Sequence, residues 1–229
     1  MKRITLHLIV SLVLFSAISA SAQDWNAIFK LNWKNRTRAF TEQNLDWQNV
    51  VLVGDSITEG YNVAKFFPGR RVLNRGIGGD VIGNAKAEGD PRGLLQRLDN
   101  SIFDCSPSEI FLLIGINDLQ THHTVAQMEE GYTDLLKKIR ARLPMARVHV
   151  QSLLPTSGTK RPFNPQILEF NEWLKNTAPQ YACDYIDLHA LFSDGNGELR
   201  ADCTADGLHL NDVGYKIWTD KILKVMNWN

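Results

Sequence analysis

Three side chains that can cooperate in acyl transfer stand at two distant points of the chain, Ser56 and the pair Asp206 and His209. A serine hydroxyl becomes a good nucleophile when a base removes its proton, and a histidine oriented by a carboxylate is well suited to that task. Asp206 precedes His209 by three positions, so its carboxylate can accept the imidazole Nδ1–H. Such a set would cleave an ester through a covalent intermediate.

Each of these residues also has an ordinary structural interpretation. Ser56 follows Gly54 and Asp55 at a sharp turn, where a serine often caps a helix. An aspartate three residues before a histidine is equally typical of a surface turn. Short motifs match by chance, so the residues alone leave both interpretations open.

The elements that must position these residues alternate between strands and helices. Apolar runs predict five strands, at Val50–Val53, Arg71–Asn74, Ile110–Ile114, Val148–Leu154 and Tyr185–Leu188. Apolar residues at helical spacing follow Val125, Ile167 and Tyr215. This alternation predicts a parallel sheet covered on both faces. Ser56 directly follows the first strand, and the carboxyl ends of such strands are where ligands bind.

Two helix starts can be predicted in more detail. Thr124 and Gln127 fit a capping box before the helix that contains Val125. A helix is also expected near residue 25, and its basic side chains are predicted to form a solvent-exposed face. These basic residues are Lys30, Lys34, Arg36 and Arg38.

Four motifs follow one another along the chain, at Gly54–Ile57, Asn74–Asp80, Gly115–Asp118 and Asp206–His209. Together they resemble the SGNH (GDSL) hydrolase superfamily, whose four blocks supply a serine, a glycine, an asparagine and a histidine. The resemblance is nearest to the platelet-activating-factor acetylhydrolase-like and carbohydrate esterase subfamilies. It implies a flavodoxin-like three-layer α/β/α sandwich with a five-stranded parallel sheet in the order 2-1-3-4-5.

The resemblance also implies a role for each site residue. Ser56 would be the nucleophile, His209 the general base and Asp206 the acid that orients it. The oxyanion hole would consist of the backbone N–H groups of Ser56 and Gly79 and the side-chain amide of Asn117. No G-x-S-x-G pattern surrounds Ser56, which argues against an α/β-hydrolase elbow.

Composition narrows the range of partners. The chain has 25 basic and 25 acidic residues, so its charge gives no support for nucleic-acid binding or for a membrane surface. Its histidines and cysteines are not spaced like zinc ligands. We therefore expect a small-molecule ester substrate and neither a metal nor a cofactor.

Residues 1–22 resemble a signal peptide that would be removed on export. Lys2 and Arg3 precede a short apolar stretch, and Ala20–Ala22 fits a cleavage site before Gln23. We therefore predict one domain at residues 23–229, located in the periplasm or outside the cell and without stable membrane insertion. Among Cys105, Cys183 and Cys203, a Cys183–Cys203 disulfide and three reduced thiols both remain open.

The expected function is that of an exported serine esterase acting on short acyl groups, chiefly acetyl, on carbohydrate or a similar small molecule. The segments 80–91 and 155–165 are expected to wall the site, and the second is mostly polar apart from Phe163. One alternative is a lysophospholipase or thioesterase for longer chains. Another is a carbohydrate-binding protein of the same fold that has no catalytic activity, although the intact set of site residues argues against it.

Overall fold

Five strands form the centre of the computed structural model, which describes residues 24–44, 49–85 and 89–228. All of them are short and rich in apolar residues. They are β1 (Asn49–Gly54), β2 (Val72–Gly76), β3 (Pro107–Leu113), β4 (Arg147–Gln151) and β5 (Asp184–Ile186). The predicted export signal at residues 1–22 lies outside the described residues.

The strands form one sheet in the order β2-β1-β3-β4-β5, and every pairing is parallel. The sequence prediction of the strand order is therefore confirmed. All six residues of β1 are buried, as expected for a strand paired on both edges and covered on both faces. Leu52 illustrates the register, since it lies opposite Asn74 on one side and Phe111 on the other.

Helices cover both faces of this sheet and complete a three-layer α/β/α sandwich. In the described part of the chain they are α1 (Trp25–Gln43), α2 (Ser56–Glu59), α3 (Val63–Phe66), α4 (Leu98–Ser101), α5 (Ile116–Gln120), α6 (Val125–Arg142), α7 (Asn164–Thr177), α8 (His189–Phe192) and α9 (Asp212–Val225). Helix α1 packs against α4, and α6 packs against α7. The capping box of α6 is present, with Thr124 and Gln127 bonded reciprocally.

Strand β4 ends earlier than predicted, at Gln151 instead of Leu154. The chain beyond it remains buried, but a side chain of α7 replaces the strand ladder. The Asn171 side chain accepts from the Leu153 N–H at 2.7 Å and donates to the Leu153 carbonyl at 2.9 Å. A buried backbone needs such partners, and apolar pattern alone did not reveal which residue supplies them.

Helix α1 corrects one prediction about charge. Lys34 and Arg38 are exposed as expected, whereas Arg36 is half-buried and points toward the sheet. Its Nε donates to the Gly76 carbonyl at 2.7 Å and lies 3.6 Å from Glu59 Oε1. Arg36 therefore joins α1 to the end of β2 instead of facing solvent.

The three cysteines are free and buried, so the proposed Cys183–Cys203 disulfide is not formed. Each thiol lies in its own environment. Cys183 accepts a hydrogen bond from Arg140 Nη2 at 3.4 Å, while Cys203 lies beside the carboxylate of Asp202 at 3.6 Å. The alternative of three reduced, buried thiols is what the structure contains.

Candidate active site

Ser56 occupies the first turn after β1, where the chain leaves the sheet. The Asp55 carboxylate caps α2 by accepting from the Ile57 N–H at 3.0 Å, which satisfies a donor that the helix itself cannot pair. Ser56 is the first residue of α2 and is half-buried. Its hydroxyl is therefore fixed at the carboxyl edge of the central strand.

The capping carboxylate of Asp55 is itself buried. Burial raises the pKa of Asp55 to about 7, although the hydrogen bond from Ile57 favours the ionised form. A carboxyl group that exchanges its proton near neutral pH thus lies next to the candidate nucleophile. The sequence motif places Asp55 there but gives no sign of this shift.

His209 meets Ser56 from the loop that precedes α9. The Ser56 hydroxyl lies 2.9 Å from His209 Nε2, and His209 Nδ1 lies 2.6 Å from Asp206 Oδ2. An ionised carboxylate only accepts hydrogen bonds, so Nδ1 carries the hydrogen and Nε2 is free to accept the serine proton. The three residues form one continuous hydrogen-bonded line.

The Asp206 carboxylate is held by its own loop. Partial burial opposes its ionisation, but hydrogen bonds from the His209 side chain and from the backbone N–H groups of His209 and Leu208 outweigh that effect and lower the pKa of Asp206 to about 2. The same loop is closed by Thr204, whose hydroxyl donates to the His209 carbonyl at 2.7 Å. Asp206 is therefore ionised at neutral pH.

Gly79 lies in the turn after β2 with φ of +75°, a conformation that glycine adopts without steric cost. A Cβ at this position would come within 2.8 Å of the Phe29 ring of α1. The turn is also close to the nucleophile, since a Cβ on the neighbouring Gly78 would be 3.8 Å from the Ser56 Cβ. This supports placing the Gly79 N–H beside the reacting centre.

Asn117 lies in the second position of α5, just past β3, and is half-buried. Its Nδ2 donates to the Asp80 carbonyl at 2.9 Å. Since Asp80 directly follows Gly79, the Asn117 amide lies against the same turn. The structure thus brings Asn117 to the turn that carries Gly79, and that turn to Ser56, as the resemblance implied. The catalytic roles of these residues remain predictions.

Two positioning side chains were missed by the sequence analysis. Arg97 is buried and donates to the Gly54 carbonyl at 2.9 Å, to the Arg75 carbonyl at 2.8 Å and to Asp80 Oδ2 at 2.7 Å. It therefore joins the ends of β1 and β2 to the Gly79 turn. Arg97 belongs to none of the four motifs, and nothing in its local sequence marks it.

Glu59 is the second missed residue. Its carboxylate accepts from the Gly78 N–H and from Asn32 Nδ2, the latter at 3.1 Å, and it also faces Arg36. Glu59 thereby connects α1, α2 and the glycine turn. It stands three residues after Ser56, so a charged residue so close to the first motif was the signal that could have revealed it.

Neither a metal-binding cluster nor a membrane-spanning helix occurs in the part of the chain that the structure describes. Within residues 24–44, 49–85 and 89–228, no three His, Cys, Asp or Glu side chains are grouped so that they could hold a metal ion. The helices of that same part of the chain include none long and apolar enough to cross a bilayer.

The chain belongs to the GDSL-like lipase/acylhydrolase family, whose family model matches residues 52–217. That range contains all four motifs and every candidate site residue. The resemblance to the SGNH (GDSL) hydrolases is therefore confirmed, and with it the coarse activity of an esterase or acylhydrolase.

Individual relatives agree with this assignment. The chain is 28% identical to the human platelet-activating factor acetylhydrolase IB subunit alpha2 over 173 residues, which cover 73% of this chain and 71% of that protein. A structure from Streptococcus pneumonia, described by reference to platelet activating factor, superposes with a TM-score of 0.77 at 24% identity and covers 88% of this chain and 95% of its own. A GDSL-like lipase from Bacteroides thetaiotaomicron gives 0.71 at 19% identity, covering 87% and 98%. The two structures support the fold.

Proposed function

We propose that this protein is an exported serine esterase that removes short acyl groups, chiefly acetyl, from carbohydrate or a similar hydroxylated small molecule. The observation that carries the proposal is the line from Ser56 Oγ to His209 Nε2 at 2.9 Å and from His209 Nδ1 to Asp206 Oδ2 at 2.6 Å. Nucleophile, base and acid stand in the order that ester hydrolysis requires.

The mechanism follows from this geometry. His209 Nε2 takes the proton of Ser56 as the hydroxyl oxygen attacks the ester carbonyl, and the charge of Asp206 stabilises the imidazolium that forms. The oxyanion is stabilised by the N–H groups of Ser56 and Gly79 and by the Asn117 amide, at about 3 kcal/mol for each donor. His209 then protonates the leaving alcohol, and water hydrolyses the acyl-enzyme by the reverse sequence.

The preference for a short acyl group is supported by the segment 155–165 after β4, the predicted wall of the site, which we call the rim. Within residues 158–163, Lys160 and Arg161 supply polar contacts, while Phe163 is half-buried and packs against the core. Phe163 also lines a cavity with polar residues such as Thr124 and Gln166, so it is not part of a continuous apolar groove. Each CH₂ of a long chain needs apolar surface to gain about 0.8 kcal/mol, and this rim offers little. The relatives named acetylhydrolase point in the same direction.

The leaving-group side of the site is open. The side chains of His209 and Asp206 are 43% and 53% exposed, so a bulky alcohol can approach the base from solvent. An exposed triad suits an acyl group carried by a large hydroxylated molecule.

A second candidate is a lysophospholipase or thioesterase that acts on longer chains. It is favoured by apolar surface near the Gly79 turn, where Phe29 packs against Gly79 and stacks with Trp25 at 5.9 Å. Trp25 is 57% exposed. An acyl chain lying along Trp25 and Phe29 would avoid the polar rim.

The export proposal is supported by the sequence of residues 1–22. Its test is the mass of the protein recovered from the cell envelope or the medium. A chain that begins at Gln23 is expected, whereas a full-length protein retained in the cytoplasm would contradict export.

A series of p-nitrophenyl esters from acetate to palmitate tests the proposed activity and separates the candidates. We expect kcat/KM to be highest for acetate and to fall beyond butyrate, with Ser56→Ala inactive throughout. An optimum at octanoate or longer would contradict acetyl preference and support the second candidate. A protein that hydrolyses none of these esters but still binds carbohydrate would favour the alternative of a non-catalytic carbohydrate-binding protein.

A further inference from the structure

The side-chain amide of Asn117 is held by hydrogen bonds at both ends. Nδ2 donates to the Asp80 carbonyl at 2.9 Å, and Oδ1 accepts from Gln120 Nε2 at 3.1 Å. A carbonyl only accepts, so the Asp80 contact requires the nitrogen of Asn117 to face the glycine turn. The Gln120 contact requires the oxygen to face the opposite way.

This orientation matters for the oxyanion. An amide nitrogen carries two hydrogens, and the Asp80 carbonyl uses one, so the other is available to the acyl oxygen. If the amide were rotated by half a turn, its own oxygen would face the Asp80 carbonyl and the developing negative charge. The group that fixes the rotation therefore influences the transition state directly.

Gln120 is oriented in turn by Lys160. The Lys160 ammonium donates to Gln120 Oε1 at 2.8 Å, and because an ammonium only donates, it selects the oxygen of the Gln120 amide. This leaves Nε2 facing Asn117. The contact joins α5 to the predicted wall after β4, since Gln120 ends α5 and Lys160 lies in the 3-10 segment Gly158–Phe163.

Lys160 itself is held by the surrounding loop. Its carbonyl accepts from the Thr156 hydroxyl at 2.7 Å, and its N–H donates to the Ser157 carbonyl at 3.1 Å. The Ser157 N–H donates to the Gly207 carbonyl at 2.9 Å, in the loop that carries Asp206 and His209. The segment that presents Lys160 is thus anchored to the triad loop.

We propose that Gln120 and Lys160 are positioning residues of the oxyanion hole. The chain of hydrogen bonds from Lys160 through Gln120 to Asn117 keeps the Asn117 N–H directed at the acyl oxygen, and the positive charge at its start polarises each amide toward stronger donation. This inference rests on the proposed function, in which Asn117 stabilises the oxyanion.

Gln120→Met is the variant that tests this most directly, because it keeps a similar volume and removes both hydrogen bonds. With p-nitrophenyl acetate we expect kcat to fall about tenfold with KM nearly unchanged, less than the roughly 10²–10³-fold loss for a whole oxyanion donor. Gln180→Met makes the same chemical change at an exposed site and serves as the control, with melting temperatures recorded for both.

A double-mutant cycle distinguishes positioning from a merely structural role. In an Asn117→Ala background, Gln120→Met is expected to cause no further loss in kcat, since the amide that it orients is gone. Lys160→Met is also expected to lower kcat. Lys160→Arg, which still donates to Gln120, should retain most of the wild-type kcat.

The proposal would be overturned by a full additional loss from Gln120→Met in the Asn117→Ala background, or by a change in KM alone. An active wild type with an unaffected Gln120→Met would remove the positioning role and leave the esterase function standing. A wild type that hydrolyses no ester would remove both.

Discussion

Ser56 and His209 are 153 positions apart in the sequence, yet their side chains meet at 2.9 Å. Three hydrogen bonds hold the two residues in this arrangement. The Tyr215 hydroxyl of α9 donates to the Ile57 carbonyl of α2 at 2.8 Å, and Asp206 holds both the imidazole and the backbone of His209. His209, the proposed base, is therefore positioned by the helix that follows it and by Asp206, which precedes it.

The role of Asp206 gives the first prediction. Asp206→Asn keeps an oxygen for the N–H groups of Leu208 and His209, but its amide would face His209 Nδ1 and favour the wrong tautomer. We expect kcat to fall by roughly 10²–10⁴-fold, with KM little changed and a smaller loss than in His209→Ala. Asp202→Asn, an exposed change nearby, is the control. Equal activity of Asp206→Asn and wild type would assign Asp206 a structural role.

Asp55 gives a prediction about pH. Burial raises the pKa of the Asp55 carboxyl group from its ordinary value of 3.8 to about 7 in the folded protein. The folded state thus keeps a proton that the unfolded state loses, so the contribution of Asp55 to stability is present below about pH 4 and is lost as the pH rises to about 7. Asp55→Asn retains the cap and removes this titration.

The unfolding free energy of Asp55→Asn relative to wild type is therefore expected to increase between pH 4 and 7, by up to about 1.4 kcal/mol for each pH unit. Urea denaturation across that range measures it. Asp24→Asn, the same change at the exposed cap of α1, is the control. A difference between Asp55→Asn and wild type that is constant with pH would contradict the assignment.

At the scale of elements, the conformation of the loop that directly precedes α9 depends on one glycine. Gly207 has φ of +80°, and a Cβ there would approach the Ser157 carbonyl to 2.5 Å. Gly197 has a similar φ of +74° but nothing within 4 Å. A side chain at either position would be strained by the backbone conformation, but only a side chain at Gly207 would also clash with a neighbouring atom.

We expect Gly197→Ala to cost about 1–2 kcal/mol of stability through strain alone and to leave kcat unchanged. Gly207→Ala should cost more stability and should also lower kcat, because the displaced loop carries Asp206 and His209. Thermal unfolding and p-nitrophenyl acetate kinetics provide both readouts. Identical behaviour of the two variants would show that the contact with Ser157 does not position the loop.

The sequence predicted helices and strands well where the spacing of apolar residues and the local motifs agree. The strands were located from apolar runs, and the start of α6 from Thr124 and Gln127. The end of β4 was missed because Asn171, in another element, supplies the hydrogen bonds. Arg36 was misplaced for a similar reason, since its partners Gly76 and Glu59 are distant in sequence. A local sequence pattern shows which residue types recur at a given spacing. Hydrogen-bond partners that are distant in sequence are determined by tertiary packing.

For the whole molecule, the resemblance supplied what periodicity left undetermined. The strand order and the choice of Gly79 and Asn117 were implied by the family resemblance that the four motifs carry. Arg97, Gln120 and Lys160 could not be predicted in this way, because none of them belongs to the four motifs and the contacts of Arg97 and Lys160 join residues that are distant in sequence. The cysteines show the same limit, since spacing and export permitted a bridge that the fold does not form.

The architecture explains why the proposed site can be open and still well ordered. Its groups come from the carboxyl ends of β1, β2 and β3 and from the loop before α9. The buried ion pair between Arg97 and Asp80, at 2.7 Å, lies behind them. Substrate can therefore reach exposed His209 while the turns that hold Ser56 and Gly79 remain fixed from the interior.

Covalent labelling of the nucleophile tests the central claim most directly. A fluorophosphonate should modify one residue per chain, identified as Ser56 by peptide mass spectrometry, and esterase activity should disappear in proportion to the label. Ser56→Ala should take up no label and should lose several orders of magnitude in kcat while its melting temperature stays close to that of wild type. Label on another residue, or near wild-type turnover in Ser56→Ala, would contradict the account.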